Sequence, residues 1–262
     1  MALTAEQRNQ IKELLQNSLR YKFRHYSPEP AAMPFHTRLL GKDRLALYSF
    51  IHSLNTNFGT TFFEPVAKAL GAYRFARSES QQSVGGFISS EAQLVIQRII
   101  DDLSTAVNLP NKPEETEAIR AVCQRGSMNQ VKLTKVDIKL VTQNGDVFLI
   151  DLKTAKPNAG GFKEFKRTML EWVAATLAVD PQSPVHTLIA IPYNPYEPKP
   201  YSRWTMRGML DLDHELKVAA DFWDFLGGTG AYEDLLSIFE NVGMELRTEI
   251  DDYFSTFRRD RG

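Results

Sequence analysis

The sequence predicts an α/β protein, and three observations carry the prediction. Two neighbouring segments, 131–142 and 147–154, alternate or run apolar and β-branched around Gln143-Asn144-Gly145-Asp146, which is a hairpin pattern. A third segment, 185–191, is short and almost wholly apolar, as expected of a strand buried on both faces. Segments of helical periodicity lie between and around these, so helices and strands interleave along the chain.

Taken in order, the elements follow from local chemistry. Thr4 can start a helix over about 4–24, with Glu6 and Gln7 in its first turn. Pro28, Pro30 and Pro34 then mark an extended or turning stretch. Residues 42–57 and 61–72 carry helical spacing, and 73–88 read as irregular around the Gly85-Gly86 break. Ser89 or Ser90 can cap a helix running to about Val107, with Leu94, Ile96, Ile99, Ile100 and Leu103 on its apolar side. Pro110 and Pro113 end it, and a short helix near 114–124 precedes the hairpin. A helix from about Gly161 to Val179 follows the hairpin, then the apolar strand, then a loop over 192–202 rich in Pro and Tyr. Residues 209–257 read as mainly helical around a Gly227-Gly228 turn. No long linker divides the chain. One domain over 1–262 is therefore expected, with a helical amino-terminal part over about 1–125, a core over about 89–192 and a helical carboxy-terminal part over about 203–257.

Composition narrows the class. With 43% hydrophobic and 24% charged residues, the chain has the balance of a soluble globular protein. No apolar run approaches the roughly 20 residues that span a bilayer, and the amino-terminal stretch reads as an amphipathic helix, not a signal peptide. The single cysteine, Cys123, excludes an internal disulfide framework and a cysteine-rich zinc cluster, so a cytoplasmic location is expected and a buried thiol is the default. The net charge of −1 hides an uneven distribution: residues 1–210 hold 26 Lys and Arg against 19 Asp and Glu, whereas 211–252 hold 2 against 12. A basic body with a separate acidic segment is compatible with a nucleic-acid groove on one side, and equally with chance clustering.

The chemistry concentrates in Lys135-Val136-Asp137-Ile138-Lys139 and, beyond the turn, Ile150-Asp151-Leu152-Lys153-Thr154. Asp is a poor strand former, and a buried charge must be paired or bound to metal. Asp151 and Lys153 are two apart and project from one face of a strand. Asp137 lies opposite Asp151, on the same face, only if the hairpin closes with an odd number of loop residues or contains a bulge. A plain two-residue turn would set Asp137 opposite Leu152. We therefore expect a three-residue or bulged turn. Two carboxylates and an ammonium would then converge. Mg²⁺ favours one or two carboxylates plus water and phosphate oxygens, so Asp137 and Asp151 are its expected ligands, with the Leu152 carbonyl as a further oxygen. Lys153 would position or deprotonate an attacking water.

An Asp followed on the next strand by Asp-x-Lys, and then by a helix, resembles the signature of the PD-(D/E)xK nuclease superfamily. Valine stands where that signature begins with proline. The stretches 35–64 (FHTRLLGKDRLALYSFIHSLNTNFGTTFFE), 136–158, 191–198 (IPYNPYEP) and 222–228 (FWDFLGG) further resemble the TdeIII family of type II restriction endonucleases, which would extend the likeness over nearly the whole chain. That resemblance implies a restriction-endonuclease-like fold, a central mixed sheet flanked by helices. It also implies Mg²⁺-dependent cleavage of double-stranded DNA by a homodimer at a short interrupted palindrome such as GGNCC, leaving 5′-phosphate and 3′-hydroxyl ends. A companion DNA methyltransferase would protect the same site without a stable complex. A repair or junction-resolving nuclease of the same superfamily, or a non-catalytic DNA-binding protein on the same fold, are the alternatives.

Secondary candidates surround this centre. Glu91, near the start of the helix before the hairpin, is a candidate additional acid, or simply a residue complementing the helix dipole. Lys156 and Asn158 follow the motif and Lys163, with Lys166 and Arg167, opens the next helix; each is a candidate DNA contact or a solvated side chain. Asn194, Arg203 and Arg207 follow the apolar strand near Tyr193 and Trp204. Arginine can bridge guanine O6 and N7, and asparagine can read adenine. Arg38, Lys42 and Arg44, and Arg125, Asn129 and Gln130, are weaker candidates for a groove border. His25, His36, His52, His186 and His214 show no metal or triad spacing.

Overall fold

The computed structural model describes residues 2–26, 33–153, 155–157, 161–202 and 206–256, with the backbone alone at 55–57. Helices α1 (Ala5–His25), α2 (Pro34–Leu40), α3 (Lys42–Phe58) and α4 (Glu64–Arg74) come first, with a π-helical turn, Gly59–Phe63, between α3 and α4. Strand β1 (Arg77–Ser89), helices α5 (Ser90–Ser104) and α6 (Lys112–Arg120), and strands β2 (Met128–Val141) and β3 (Val147–Leu152) follow. Helix α7 (Phe162–Val179), strands β4 (Val185–Ile191) and β5 (Leu216–Val218), and helices α8 (Ala220–Gly227), α9 (Ala231–Glu245) and α10 (Arg247–Ser255) complete the order.

The helix starts are chemically specified. Thr4 and Gln7 form a reciprocal capping box, the Gln7 N–H donating to Thr4 Oγ1 at 3.2 Å and the Thr4 N–H to Gln7 Oε1 at 2.7 Å. Ser89 accepts from the Ala92 N–H at 3.0 Å, and Asn111 caps α6. Pro113 lies in the first turn of α6, where a missing N–H does no harm, so it begins that helix and does not end the preceding one. Pro34 does the same for α2, within a stretch expected to be extended.

The five strands form one mixed sheet in the order β1-β2-β3-β4-β5, antiparallel over the first three strands and parallel from β3 to β5. Helices cover both faces. On one face Ile96, Ile100, Ile119, Leu170 and Val173, from α5, α6 and α7, pack with Val136, Leu149 and Ile189. On the other, Ile11, Leu70, Phe222 and Leu235, from α1, α4, α8 and α9, pack with Ile138, Leu140, Ile150 and Leu188. Strand β4 sends alternate residues to each core, which is why its sequence is apolar throughout.

Two strands differ from the sequence expectation. Residues 77–89 form β1, not an irregular segment: RSESQQSV is polar because most of it is only half-buried, so it lacks apolar alternation. Gly85-Gly86 shifts the β1–β2 register instead of ending the strand. Strand β5 is three residues long, too short to leave a period in a segment expected to be helical.

The acidic carboxy-terminal segment has a local use. Arg8 pairs with Asp234, Lys12 with Glu245 and Arg20 with Glu249, so α1 supplies cations to α9 and α10.

Candidate active site

The hairpin between β2 and β3 sets the site. Ile138 faces Ile150 and Val141 faces Val147, and one further step of that register sets Asp137 across from Asp151. Thr142 and Asp146 continue the pairing, the Thr142 N–H donating to the Asp146 carbonyl at 2.9 Å. Three residues, Gln143, Asn144 and Gly145, remain in the loop. Gly145 takes φ +93°, the left-handed conformation that a three-residue hairpin loop requires at this position. The odd loop expected from the spacing of the two acids is therefore the one found.

Asp137 is held by two donors. The Leu152 N–H donates to Oδ2 at 2.8 Å, and Gln81 Nε2, from β1, donates to Oδ1 at 3.2 Å. Asp151 is held by Lys153, whose Nζ lies 2.8 Å from Oδ1 and 2.7 Å from Oδ2. The same ammonium sits 4.4 Å from the ring centroid of Phe165 on α7. Burial pushes the Asp151 carboxyl up to about 6, against the pull of Lys153, and the Asp137 carboxylate adds to the rise. Asp137, Leu152 and Lys153 open onto a cavity of about 730 Å³, whose other walls include Phe58, Phe63, Glu64, Lys156 and Tyr193.

Glu64, which residue patterns did not single out, lines this cavity together with Asp137. It is buried at the start of α4, directly after the π-helical turn, and accepts from Gln81 Nε2 at 2.7 Å. Burial raises its carboxyl; the Gln81 amide works against that, and Asp137 adds to it. A sequence signal did exist. Glu-Pro can open a helix, and a carboxylate there follows four residues, Thr-Thr-Phe-Phe, with no charge of their own.

Glu91 is not part of this centre. It is exposed at the start of α5, beside Gly126. Eight residue steps along the strand separate Gln81, beside Asp137, from Ser89, a span of roughly 26 Å. The acid that accompanies the hairpin comes from the helix before β1, not the helix after it.

Of the remaining candidates, Lys156 lines the cavity, its ammonium 5.4 Å from the Tyr196 ring centroid. Lys163 and Arg207 are exposed. Asn194 serves its own loop: Nδ2 donates to the Lys199 carbonyl at 2.7 Å and Oδ1 accepts from the Tyr196 N–H at 3.0 Å, so both ends of the amide are engaged away from any base. Asn158 and Arg203 lie outside the described residues. Lys166 is fully buried in an ion network and is no DNA contact.

The donor set suits a hard cation: carboxylates without thiol or imidazole. Among the described residues no three Asp, Glu, His or Cys side chains converge at metal-binding distance, so those residues offer one ion two carboxylates at most. That is the number Mg²⁺ commonly takes, water and phosphate oxygens completing its shell.

A mixed sheet flanked by helices, with Asp137 and the Asp151-Leu152-Lys153 run meeting at a cavity, is consistent with the PD-(D/E)xK class of nucleases. The chain belongs to the HinfI family of type II restriction endonucleases, whose model matches residues 3–243. Curated relatives agree. It is 26% identical to the type II restriction enzyme MjaII of Methanocaldococcus jannaschii over 226 residues, covering 81% of this chain and 59% of that enzyme. It is 23% identical to HgiCII of Herpetosiphon aurantiacus, covering 83% and 80%, and 22% identical to HgiBI of the same organism, covering 95% and 98%. The family matched is HinfI, whereas the sequence stretches resembled TdeIII; the two agree on the type II restriction class.

Proposed function

We propose that this chain is a Mg²⁺-dependent type II restriction endonuclease that cuts double-stranded DNA as a homodimer. The observation that carries the reading is the hairpin register, which brings Asp137 and Asp151 opposite each other with Lys153 alongside. Asp137 and Asp151 would hold the ion, with the Leu152 carbonyl as a third protein oxygen. Bound there, Mg²⁺ would polarise the scissile phosphate and lower the pKa of a coordinated water. Lys153, paired with Asp151 and supported by the Phe165 ring, would orient the attacking water with its ammonium and offset charge developing on the phosphate. Glu64 adds negative charge to the same cavity and strengthens its preference for a cation.

Lys156 at the cavity wall, with Asn158, Lys163, Arg203 and Arg207, supplies contacts to the DNA backbone or bases. One centre cuts one strand, so two copies related by a two-fold axis serve a palindrome. The TdeIII resemblance suggests an interrupted target such as GGNCC, and a methyltransferase of matching specificity as partner in a cytoplasmic restriction system. Among the described residues, no helix is long and apolar enough to cross a membrane.

Incubating plasmid DNA with the protein in Mg²⁺ or in EDTA tests the reading. Discrete fragments in Mg²⁺ and intact plasmid in EDTA are expected. Random nicking would favour a structure-selective nuclease, and no cutting with Mg²⁺ a non-catalytic binding protein.

A further inference from the structure

We infer that Gln81 is a positioning residue for this centre, holding the Asp137 and Glu64 carboxylates in place through one side-chain amide at the expense of a strained backbone. The inference rests on the nuclease reading above. Gln81 takes φ +55° in the middle of β1, a left-handed conformation that a non-glycine residue adopts only under constraint. The usual explanation for such a residue in a strand, an inserted bulge residue, does not hold here. Ser80 faces Ile138 and Gln82 faces Val136, so the register passes through this point without a shift.

The partner strand turns at the same level. Val136 packs into the α5–α7 core and Ile138 into the opposite core, although residues two apart in a regular strand share a face. Asp137 sits at that roll and is the residue whose side chain Gln81 holds.

The amide orientation follows from its partners. Nε2 lies 2.7 Å from Glu64 Oε2 and 3.2 Å from Asp137 Oδ1, and an amide oxygen at that position would face two carboxylates. One NH₂ group thus bridges a helix acid and a strand acid and damps their repulsion. Outer residues that orient metal ligands commonly change metal affinity by about 10–100-fold when removed.

Gln81→Gly separates positioning from folding, because glycine accepts φ +55° without strain while the amide is lost. Calorimetric titration of the metal-free protein with Mg²⁺ alone should show at least about tenfold weaker binding for this variant. Its thermal midpoint in EDTA should equal or exceed that of the wild type. Gln81→Ala keeps the strained backbone but lacks the amide; it should lose metal affinity equally and melt below Gln81→Gly. Wild-type affinity in Gln81→Gly, to within twofold, overturns the inference, as does a lower melting point for the glycine variant than for the alanine one. A wild-type protein that binds Mg²⁺ but cuts no DNA would sink the nuclease reading alone.

A second observation independently assigns a surface to the partner copy, and again rests on the proposed homodimer. Helix α2 has no buried residue, yet it carries Phe35 and Leu39, exposed at 82% and 83%, with Met33 and Leu40 at its ends. Leu47, Tyr48 and Ile51 form an exposed stripe on α3. A seven-residue helix has little stability of its own in water. Taking about 200 Å² for a whole large side chain, these seven mostly apolar residues leave on the order of 800 Å² of surface open, close to the roughly 800 Å² per partner of a standard interface. An apolar face is self-complementary, as a two-fold contact requires, so we propose that α2 and α3 dock against the same helices of a second copy.

Sedimentation of the full chain, and of Phe35→Glu with Leu39→Glu, tests this. A dimeric wild type and a monomeric variant of unchanged circular dichroism are expected, with plasmid products passing from linear to nicked. A monomeric wild type overturns the assignment, as does a variant that still dimerises, including one that has lost only DNA affinity. Loss of the dimer in a protein whose wild type cuts nothing would leave the surface assigned and the nuclease reading refuted.

Discussion

Replacing Lys166 with methionine removes the ammonium at the centre of a buried ion network. Lys166 Nζ lies 2.5 Å from Glu115 Oε2 and 2.6 Å from Glu215 Oε2, and Lys112 Nζ lies 3.0 Å from Glu215 Oε1. All four side chains are buried, and two positive charges balance two negative ones. Burial works to raise the Glu215 carboxyl, yet Lys112 and Lys166 together hold it below the ordinary carboxylate range. Methionine fills most of the same volume, so the substitution isolates the charge. Removing one member of a buried ion pair destabilises by roughly 3–5 kcal/mol, because the remaining carboxylate keeps its desolvation cost without its partner. At about 2–4 °C per kcal/mol for a chain of this size, the melting point should fall by roughly 6–20 °C. Calorimetric or circular-dichroism melts measure it. Adding Glu115→Gln neutralises the orphaned charge and should restore at least about 1.5 kcal/mol, a coupling within the range found for contacting residues. A fall below about 3 °C, or a double variant no more stable than the single one, would refute the reasoning. The network matters to the site because Lys166 follows Phe165, the residue that supports Lys153.

Other consequences follow from the site itself. Asp137→Asn and Asp151→Asn should each lower the cleavage rate by at least about 100-fold while leaving the fold intact, checked by single-turnover digestion and circular dichroism. Because burial pushes the Asp151 carboxyl up to about 6, Mg²⁺ binding should release a proton near that pH and weaken as pH falls below it, measured by titration calorimetry in buffers of differing ionisation heat. A carboxyl raised by folding favours the folded state at low pH, and that contribution disappears as pH rises through 6. Asp151→Asn should therefore raise the melting point in EDTA at pH 7. Phe165→Leu removes a cation–π contact worth about 0.5–2 kcal/mol; cleavage should slow by roughly 2–30-fold with DNA affinity unchanged, read by single-turnover rates beside binding assays.

The hairpin was legible because its signals were redundant. Asn-Gly marks the turn, and the even spacing of Asp137 and Asp151 demands an odd loop, which Gly145 permits. The apolar run of β4 announced its double burial for the same reason. Strand β1 was not legible, since its polar side chains serve the site and the half-exposed sheet edge instead of a core. Gln81 and Glu64 were hidden for a related reason: a bridge between residues 17 apart in sequence leaves no period. Glu91 lies away from the cavity, and its sequence context could not show this, because charge at a helix start says nothing about which end of a long strand that helix occupies.

The most direct measurement is single-turnover digestion of a duplex containing the cleaved site by wild-type protein and by Asp151→Ala, in Mg²⁺, with sequencing of the ends. Wild-type protein should cut both strands at fixed positions, leaving 5′-phosphates, and Asp151→Ala should leave the duplex whole. Fixed-position cutting that persists in Asp151→Ala would contradict the placement of the catalytic centre on the β2–β3 hairpin.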